Sequence, residues 1–132
     1  MNGVDESVRN LLSGKGTNIP LFKVFMPESV IEPLRYADDR CSSYWLYTLR
    51  VKERAEFVRH MKKAGITVSK VHARNDTHTM FKDFRTELPG VDEFVSEHIS
   101  IPVGWWLTEE NRQYIINTVL EFASKEVVLR SF

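Results

Sequence analysis

The chain has 132 residues, and its 18 lysines and arginines balance its 18 aspartates and glutamates, so that its formal net charge is zero. A chain of this length is expected to form one domain, and the absence of a long basic block argues against a nucleic-acid or anionic-membrane surface. The one cysteine, Cys41, cannot form an intramolecular disulfide, no apolar run reaches the roughly 18 residues that span a bilayer, and residues 1–6 lack the regions of a signal peptide. We therefore expect a reducing, cytoplasmic setting.

Residues 1–42 carry the weakest pattern in the chain. Residues 5–12 fit about two turns of helix before a glycine-containing loop. Residues 21–26 are apolar enough for an edge strand, although prolines bracket them on both sides. We therefore separate an N-terminal segment, residues 1–42, from a domain that comprises residues 43–132.

The first clear element is a strand over residues 44–51, where apolar and polar side chains alternate. Such alternation is typical of a strand with one buried face. The buried face would carry Trp45, Tyr47, Leu49 and Val51, all of which we assign to the core.

A helix over residues 54–64 follows this strand. Gly65 occupies the position of a C-terminal cap, directly after two lysines that suit the negative end of a helix. The inner face of the helix is predicted to carry Phe57, Val58, Met61 and Ala64. Its charged outer face is expected to be solvated.

Residues 66–71 are rich in β-branched side chains and are predicted to form a second strand. With residues 44–51 as the first strand and residues 54–64 as the connection, this arrangement predicts a right-handed β-α-β unit if the two strands share a sheet.

Further elements are predicted towards the C-terminus. Residues 79–84 and 91–97 fit short helices, and residues 99–103 fit a third strand that ends near a proline. Thr108 is placed to cap the clearest helix of the chain, with two glutamates in the first turn. The inner stripe of that helix is predicted to be Ile115, Ile116, Val119, Leu120 and Ala123. Residues 124–132 either prolong the helix or form a separate tail.

A polar loop separates residues 66–71 from the next helix. It contains two imidazoles, a guanidinium, an amide and a carboxylate within seven residues, contributed by His72, Arg74, Asn75, Asp76 and His78. A strand that ends in so many hydrogen-bonding groups is a candidate binding edge.

The order of these patterns resembles the C-terminal small domain of the DegT-type nucleotide-sugar aminotransferases, over about residues 43–123. The resemblance is carried by Tyr44 to Val51, by Gly65-Ile66, by Val71-His72 with His78, by Ile101-Pro102 and by Leu107-Thr108-Glu109-Glu110. Members of that family use pyridoxal phosphate (PLP), are usually dimers and place amino groups on nucleotide-linked ketosugars. Their small domain closes one side of a cleft whose cofactor is held mostly by a large N-terminal domain.

The resemblance also implies what this chain lacks. PLP chemistry needs a lysine amine that condenses with the cofactor and then transfers protons. The family's lysine lies in the large domain after a serine and a histidine, and no lysine of this chain has that context. We therefore expect a fragment or a split subunit that depends on a large PLP-binding domain, with no catalytic residue and no cofactor bound by this chain alone.

The resemblance assigns roles to the polar loop. His72 and His78 correspond by position to family histidines that face the substrate cleft, which implies hydrogen bonds to sugar or phosphate oxygens. By neighbourhood in the loop, Arg74 is expected to bind a diphosphate in a bidentate manner. Asn75 and Asp76 either bind hydroxyl groups or cap the turn.

A metal site is the competing interpretation of the same loop, since His72, Asp76 and His78 are acceptable zinc or iron donors. Their loop spacing lacks the fixed geometry of helical ligand pairs, so we expect no metal. The remaining histidines, His60 and His98, are expected to be surface or structural residues.

Two adjacent tryptophans, Trp105 and Trp106, follow the third strand. Adjacent side chains on a strand point in opposite directions, so one indole is expected to pack inward and the other to be exposed. Either the pair covers the last helix, or it forms an interface with the large domain or a second subunit.

These observations predict an α/β sandwich: a small mixed, three-stranded sheet with helices mainly on one face. The leading functional hypothesis is a small-domain piece of a PLP-dependent nucleotide-sugar aminotransferase that lines the substrate cleft and belongs to a homodimeric complete enzyme. The alternative is a free-standing, non-catalytic binding or assembly module that keeps the same fold.

Overall fold

The computed structural model describes residues 30–34, 39 and 44–130, with side chains as far as residue 125. The elements predicted at residues 5–12 and 21–26 lie outside the described residues. The described elements are β1 (Ile31–Pro33), β2 (Tyr47–Val51), α1 (Arg54–Lys63), two 3-10 helices (Asn75–Thr77 and Thr79–Phe84), α2 (Pro89–Glu97), β3 (His98–Ile101) and α3 (Glu109–Arg130). No helix in this part of the chain is long and apolar enough to cross a membrane.

The three strands form one sheet in the order β1-β2-β3, and both pairings are antiparallel. Ile31 lies opposite Val51, and Tyr47 lies opposite Ile101. The predicted fold class, an α/β domain with a three-stranded sheet, is confirmed. Because β1 comes from the N-terminal segment, that segment contributes to the same sheet as the rest of the domain.

The prediction of a strand over residues 66–71 was wrong, and with it the β-α-β unit and the mixed sheet. This segment makes a single antiparallel bridge, in which Ser69 and Ser100 exchange backbone hydrogen bonds of 3.0 and 2.8 Å. Ile66 is buried and Val68 packs partly on the core. β-Branched side chains are favoured wherever a segment lies half-buried on a core. Residues 66–71 lie in this way without forming a continuous strand.

Helices α1 and α3 pack on the face of the sheet that carries Leu49 and Val51. Phe57 is fully buried, and its ring meets that of Phe122 edge to face at 5.3 Å and 80°. The predicted stripe of α3 omitted Phe122, which is 4% exposed, and included Leu120, which is half-buried. The edge-to-face pair therefore joins the two helices directly over the sheet.

Both predicted helix caps are present. Gly65 follows α1 with φ of 74°, a left-handed conformation that a glycine adopts without steric cost. The Thr108 hydroxyl accepts a hydrogen bond from the Asn111 amide at 3.2 Å, which satisfies one free donor at the start of α3. Helix α3 continues to Arg130, so the residues after 124 prolong the helix over that range.

Helix α2 covers the opposite face of the sheet. Arg50 projects from β2 and donates to Glu97 at 2.9 and 2.6 Å, and also to Glu93. Arg54 donates to the Val95 carbonyl at 2.5 Å, close to the C-terminal end of α2, where a cation is favoured. His98 is only 1% exposed, so it is a buried structural histidine at the junction of α2 and β3.

Candidate functional site

The candidate site is the loop between Ser69 and α2. Since Ser69 pairs antiparallel with Ser100, the chain beyond it runs towards the His98 end of β3. Two short 3-10 helices follow, and the chain then enters α2. The loop therefore projects from one end of the sheet, and its role as a binding edge stays a prediction.

The predicted ligand-binding histidines lie on the surface of this loop. His72 and His78 are both exposed, and neither ring has a hydrogen-bond partner among the described residues. The His78 backbone is held in place because its amide donates to the Asn75 carbonyl at 3.1 Å, while the His78 carbonyl accepts from the Phe81 amide at 3.0 Å. The Asn75 side chain is also exposed. These three side chains are free to meet a ligand, although nothing in the geometry tests that role.

Arg74 and Asp76 are instead engaged with each other. Arg74 Nε donates to Asp76 Oδ1 at 2.7 Å and Arg74 Nη2 donates to Asp76 Oδ2 at 2.5 Å, a bidentate pair. Arg74 Nη1 donates to the carboxylate of Asp92 on α2. The predicted bidentate grip on a diphosphate would require Arg74 to release these carboxylates, because its fork is already occupied.

The electrostatics follow from this geometry. The hydrogen bonds from Arg74 stabilise the ionised form of Asp76 and hold the pKa of that carboxyl group below its ordinary value. The hydrogen bonds to Asp76 in turn raise the pKa of Arg74. Both groups therefore carry their charges throughout the neutral pH range.

A second arginine closes the loop. Arg85 Nε donates to the Asp76 carbonyl at 2.6 Å, and Arg85 Nη2 donates to the Thr77 carbonyl at 3.4 Å. The Thr77 hydroxyl donates to the Arg74 carbonyl at 2.6 Å. The backbone carbonyls of Arg74, Asp76 and Thr77 thus accept hydrogen bonds from side chains of the loop. The sequence analysis missed Arg85 and Asp92, because each lies far along the chain from its partner and no local spacing signals the contact.

The metal interpretation finds no geometric support. Across residues 30–34, 39 and 44–125, no three His, Cys, Asp or Glu side chains come together in a way that could hold a metal ion. His72, Asp76 and His78 therefore do not form such a group, and the Asp76 carboxylate is already neutralised by Arg74.

A PLP site is not formed by the described residues either. Condensation of an amine with the cofactor requires a lysine whose amine loses its proton, which burial or a neighbouring cation brings about. Every described lysine is exposed: Lys52, Lys62, Lys63, Lys70, Lys82 and Lys125. None of the described lysines therefore has the environment that would activate its amine towards PLP.

All three tryptophans are exposed at the other end of the sheet. Because Tyr47 lies opposite Ile101, the chain before β2 and the chain after β3 leave the sheet at the same end. The side chains there are 75%, 92% and 62% exposed for Trp45, Trp105 and Trp106 respectively. The assignment of Trp45 to the core was wrong, because β2 begins only at Tyr47 and the alternation does not extend further towards the N-terminus.

The prediction that one of the two adjacent indoles packs inward was also wrong. Trp105 and Trp106 lie in a turn after β3 and not on a strand, and their rings meet at 84° with centroids 6.1 Å apart. The Trp106 ring lies so close to Gly104 that a Cβ atom there would come within 2.3 Å of it. Neither indole covers the core, which removes the packing interpretation and leaves the interface role as a prediction.

A further exposed apolar surface lies on the loop itself. Met80 and Phe84 are 78% and 77% exposed, on the second 3-10 helix. The short helix predicted over residues 79–84 is present, and its exposed apolar side chains are an additional feature of the loop. No local spacing in this six-residue helix signals that these side chains stay exposed.

Comparison with known proteins identifies the family. The sequence profile of the DegT/DnrJ/EryC1/StrS aminotransferase family matches residues 17–120. The chain therefore belongs to the DegT/DnrJ/EryC1/StrS aminotransferase family, as the resemblance indicated. The match begins at residue 17 and includes β1, which the resemblance had left outside. Comparison with curated protein sequences finds no match.

Solved structures agree with this assignment. The sugar aminotransferase CalS13 from Micromonospora echinospora is 33% identical, with a TM-score of 0.69, and the match covers 87% of this chain and 29% of CalS13. AtS13 from Actinomadura melliaura is 32% identical, with a TM-score of 0.69, and the match covers 87% of this chain and 28% of AtS13. DesV from S. venezuelae shares the fold at 21% identity, with a TM-score of 0.70 over 92% of this chain and 31% of DesV. The chain thus spans under a third of the length of these relatives.

Proposed function

We propose that this chain is the C-terminal small domain of a PLP-dependent nucleotide-sugar aminotransferase and that it forms one wall of the substrate cleft. The observation that carries the proposal is the exposed pair His72 and His78, on a loop held in a defined shape, within a domain of this aminotransferase family. The similarity to a sugar aminotransferase at 33% identity supports a sugar as the substrate class.

The two histidines suit a sugar nucleotide for a chemical reason. An imidazole ring both donates and accepts hydrogen bonds, and sugar hydroxyl groups and phosphate oxygens need partners of both kinds. Both rings are exposed and without partners among the described residues, so a ligand would not have to displace an existing contact. Asn75, exposed beside them, offers an amide to the same ligand.

The cofactor would be held by a large domain or subunit. Aminotransferases of this family generally depend on PLP, which supplies the electron sink for amino-group transfer. The described lysines are exposed and do not fit that role, so in this proposal the large domain or subunit supplies the lysine. In this proposal the chain itself binds and orients the substrate and excludes water from its side of the cleft.

The surface around Trp105 and Trp106 is the proposed contact with that large domain or with a second subunit. Exposed indoles are enriched at protein interfaces, and a cluster of them on an isolated domain is typical of an uncovered interface. It lies at the end of the sheet opposite the His72 loop. The chain could therefore contact a partner at one end while it lines a cleft at the other, within a homodimeric enzyme.

The alternative function is a free-standing binding or assembly module. It is favoured by the exposure of all the described lysines and by a hydrophobic core that residues of this chain form together. The two functions differ in what they need: the first requires a lysine-bearing partner, whereas the second requires only a ligand.

The test is to look for a lysine-bearing large domain encoded upstream of this sequence and to reconstitute it with this chain. The expected result is co-purification of the two proteins, the visible absorption of lysine-bound PLP, and transamination of a nucleotide-linked ketosugar. His72→Ala and His78→Ala should weaken substrate binding by about tenfold or more, the scale of one lost charged hydrogen bond. Lys63→Ala, at an exposed position on α1, is the matched control.

Two outcomes would contradict the cleft-wall proposal. The first is a partner that is fully active without this chain. The second is an assembled enzyme in which the histidine variants bind substrate as well as the control does. If instead the chain binds dTDP-glucose or UDP-glucose alone, detected as a rise in melting temperature, and no lysine-bearing partner exists, the module function is supported.

A further inference from the structure

In the loop that carries the two histidines, two charged side chains are less exposed than the apolar side chains. From Ser69 to Glu93, every residue is exposed except Arg74 and Asp76. Their side chains are only 15% and 21% exposed, while the apolar side chains of Met80 and Phe84 point to solvent. The interior of this loop is therefore an ion pair and not a hydrophobic cluster.

We propose that Arg74 is the positioning residue of the site: its guanidinium group sets the shape of the loop and thereby the relative placement of His72 and His78. The inference rests on the proposed function, in which the two imidazoles contact substrate. It reassigns Arg74 from ligand contact to loop organisation.

The contacts of Arg74 extend in three directions. Its Nε and Nη2 atoms hold Asp76 two residues further along, and its Nη1 atom reaches Asp92 on α2. Its own carbonyl accepts from the Thr77 hydroxyl at 2.6 Å. Arg74 thus connects the start of the loop with the first 3-10 helix and with α2.

His72 lies two residues before Arg74 in the sequence, and His78 lies four residues after it. The first 3-10 helix, Asn75–Thr77, lies between Arg74 and His78 and is only three residues long; Thr77 N lies 3.4 Å from Arg74 O and His78 N lies 3.1 Å from Asn75 O. Such a short helix is not stable by itself. The bidentate pair across it supplies the constraint that fixes the direction in which the chain reaches His78.

A lysine cannot replace this function. Arginine presents a planar fork that matches the two carboxylate oxygens, whereas a lysine offers a single point charge. Arg74→Lys keeps the charge and removes the fork, so it separates geometry from electrostatics. Arg59 provides the matched control, because it forms a pair with Glu56 on the exposed face of α1, far from the loop along the chain.

The test measures loop order and ligand binding on the same variants. Hydrogen exchange of the isolated chain should show that Arg74→Lys lowers the protection of amides 77–81 by about tenfold, as expected when a charge-assisted hydrogen bond is lost. The ring signals of His72 and His78 in nuclear magnetic resonance spectra should shift. Those of His60 and His98 should stay in place, and in Arg59→Lys the ring signals of His72 and His78 and the protection of amides 77–81 should match the wild type.

Asp92→Asn is the milder second variant, since it removes the negative charge at one contact and leaves the Asp76 fork intact. Its loss of protection should be smaller than that of Arg74→Lys. If both variants leave the protection and the ring signals unchanged, the positioning role is overturned. If Arg74→Lys abolishes binding of UDP-glucose or dTDP-glucose to the assembled enzyme while the loop signals stay as in the wild type, Arg74 contacts the ligand directly and the proposal is also overturned.

Failure of the proposed function would look different. In that case Arg74→Lys disorders the loop as expected, yet His72→Ala and His78→Ala leave substrate binding unchanged. Conversely, if the histidine variants weaken binding and Arg74→Lys has wild-type affinity and wild-type loop signals, the cleft-wall proposal stands and the positioning role falls. Concerted loss of loop order and of affinity, expressed as a raised KM with little change in kcat, supports the positioning role.

Discussion

The contact between α1 and α3 gives the sharpest stability prediction. Phe57 is 0% exposed and its ring meets Phe122 edge to face at 5.3 Å. Phe57→Leu removes buried aromatic contact area without inserting a polar group. We expect a loss of about 1–2 kcal/mol in the free energy of unfolding, within the usual range for one core substitution.

A double-mutant cycle separates the contribution of the contact between the Phe57 and Phe122 rings from the rest of the loss in free energy of unfolding. Phe122→Leu removes the other ring, and an edge-to-face pair contributes about 0.5–1.5 kcal/mol beyond the burial of its area. The double variant should therefore lose less than the sum of the single variants by about that amount. Phe84→Leu is the matched control, since that ring is 77% exposed and the same substitution should change stability by less than about 0.5 kcal/mol.

Urea unfolding followed by far-ultraviolet circular dichroism measures these differences. The midpoint should fall for the two buried positions while the slope stays constant, which shows that stability has changed and not the unfolded ensemble. If Phe57→Leu is as mild as Phe84→Leu, or if the two buried substitutions are strictly additive, the packing of α1 against α3 is not as described.

Three further predictions concern the caps and the polar loop. Gly65→Ala should cost about 1 kcal/mol because the residue has φ of 74°, whereas Gly90→Ala, where nothing lies within 4 Å and φ is not positive, should be neutral or stabilising; thermal unfolding of both variants tests this. Thr108→Ala should also cost about 1 kcal/mol by removing the N-cap of α3, and a melting temperature equal to that of the wild type would contradict the cap. Because Arg74 lowers the pKa of Asp76 in the folded state, the pair stabilises the fold above the unfolded pKa of about 3.9, and this contribution is lost as the pH falls through the lower folded pKa. A carboxyl titration by nuclear magnetic resonance should show the pKa of Asp76 rising in Arg74→Gln, and an unchanged titration would refute the pair.

The two ends of the sheet suggest a division of roles. The loop with His72 and His78 projects beyond the His98 end of β3, whereas the tryptophans lie beyond the other end. The three strands between them are antiparallel and buried on one face by α1 and α3. A rigid sheet would hold the proposed cleft wall at a constant position relative to the proposed interface.

Local sequence patterns were sufficient to predict the elements that depend on residues close together in the chain. The alternation that ends at Val51, the apolar spacing of α1, the glycine at residue 65 and the cap at Thr108 each act within a few residues of one another. The structure contains all of them. The family resemblance was also readable, because it depends on the order of such local patterns along the chain.

Contacts between distant residues were decided only by the tertiary structure. The β-branched residues 66–71 fit a half-buried surface, but their single bridge to Ser100 depends on where β3 lies. Trp45 continues an alternating pattern in sequence, yet the sheet ends at Tyr47 and leaves the indole exposed. Periodicity describes a face of an element and does not say where the neighbouring strand stops.

In the polar loop, too, the sequence determined the residue types and the tertiary structure decided their contacts. Composition alone identified His72, Arg74, Asn75, Asp76 and His78 as a cluster of hydrogen-bonding groups. It could not show that the guanidinium group of Arg74 donates hydrogen bonds to both Asp76 and Asp92, since Asp92 lies 18 residues away on α2. Residue types determine which contacts are chemically possible, and the three-dimensional path of the chain determines which of them are already made before a ligand arrives.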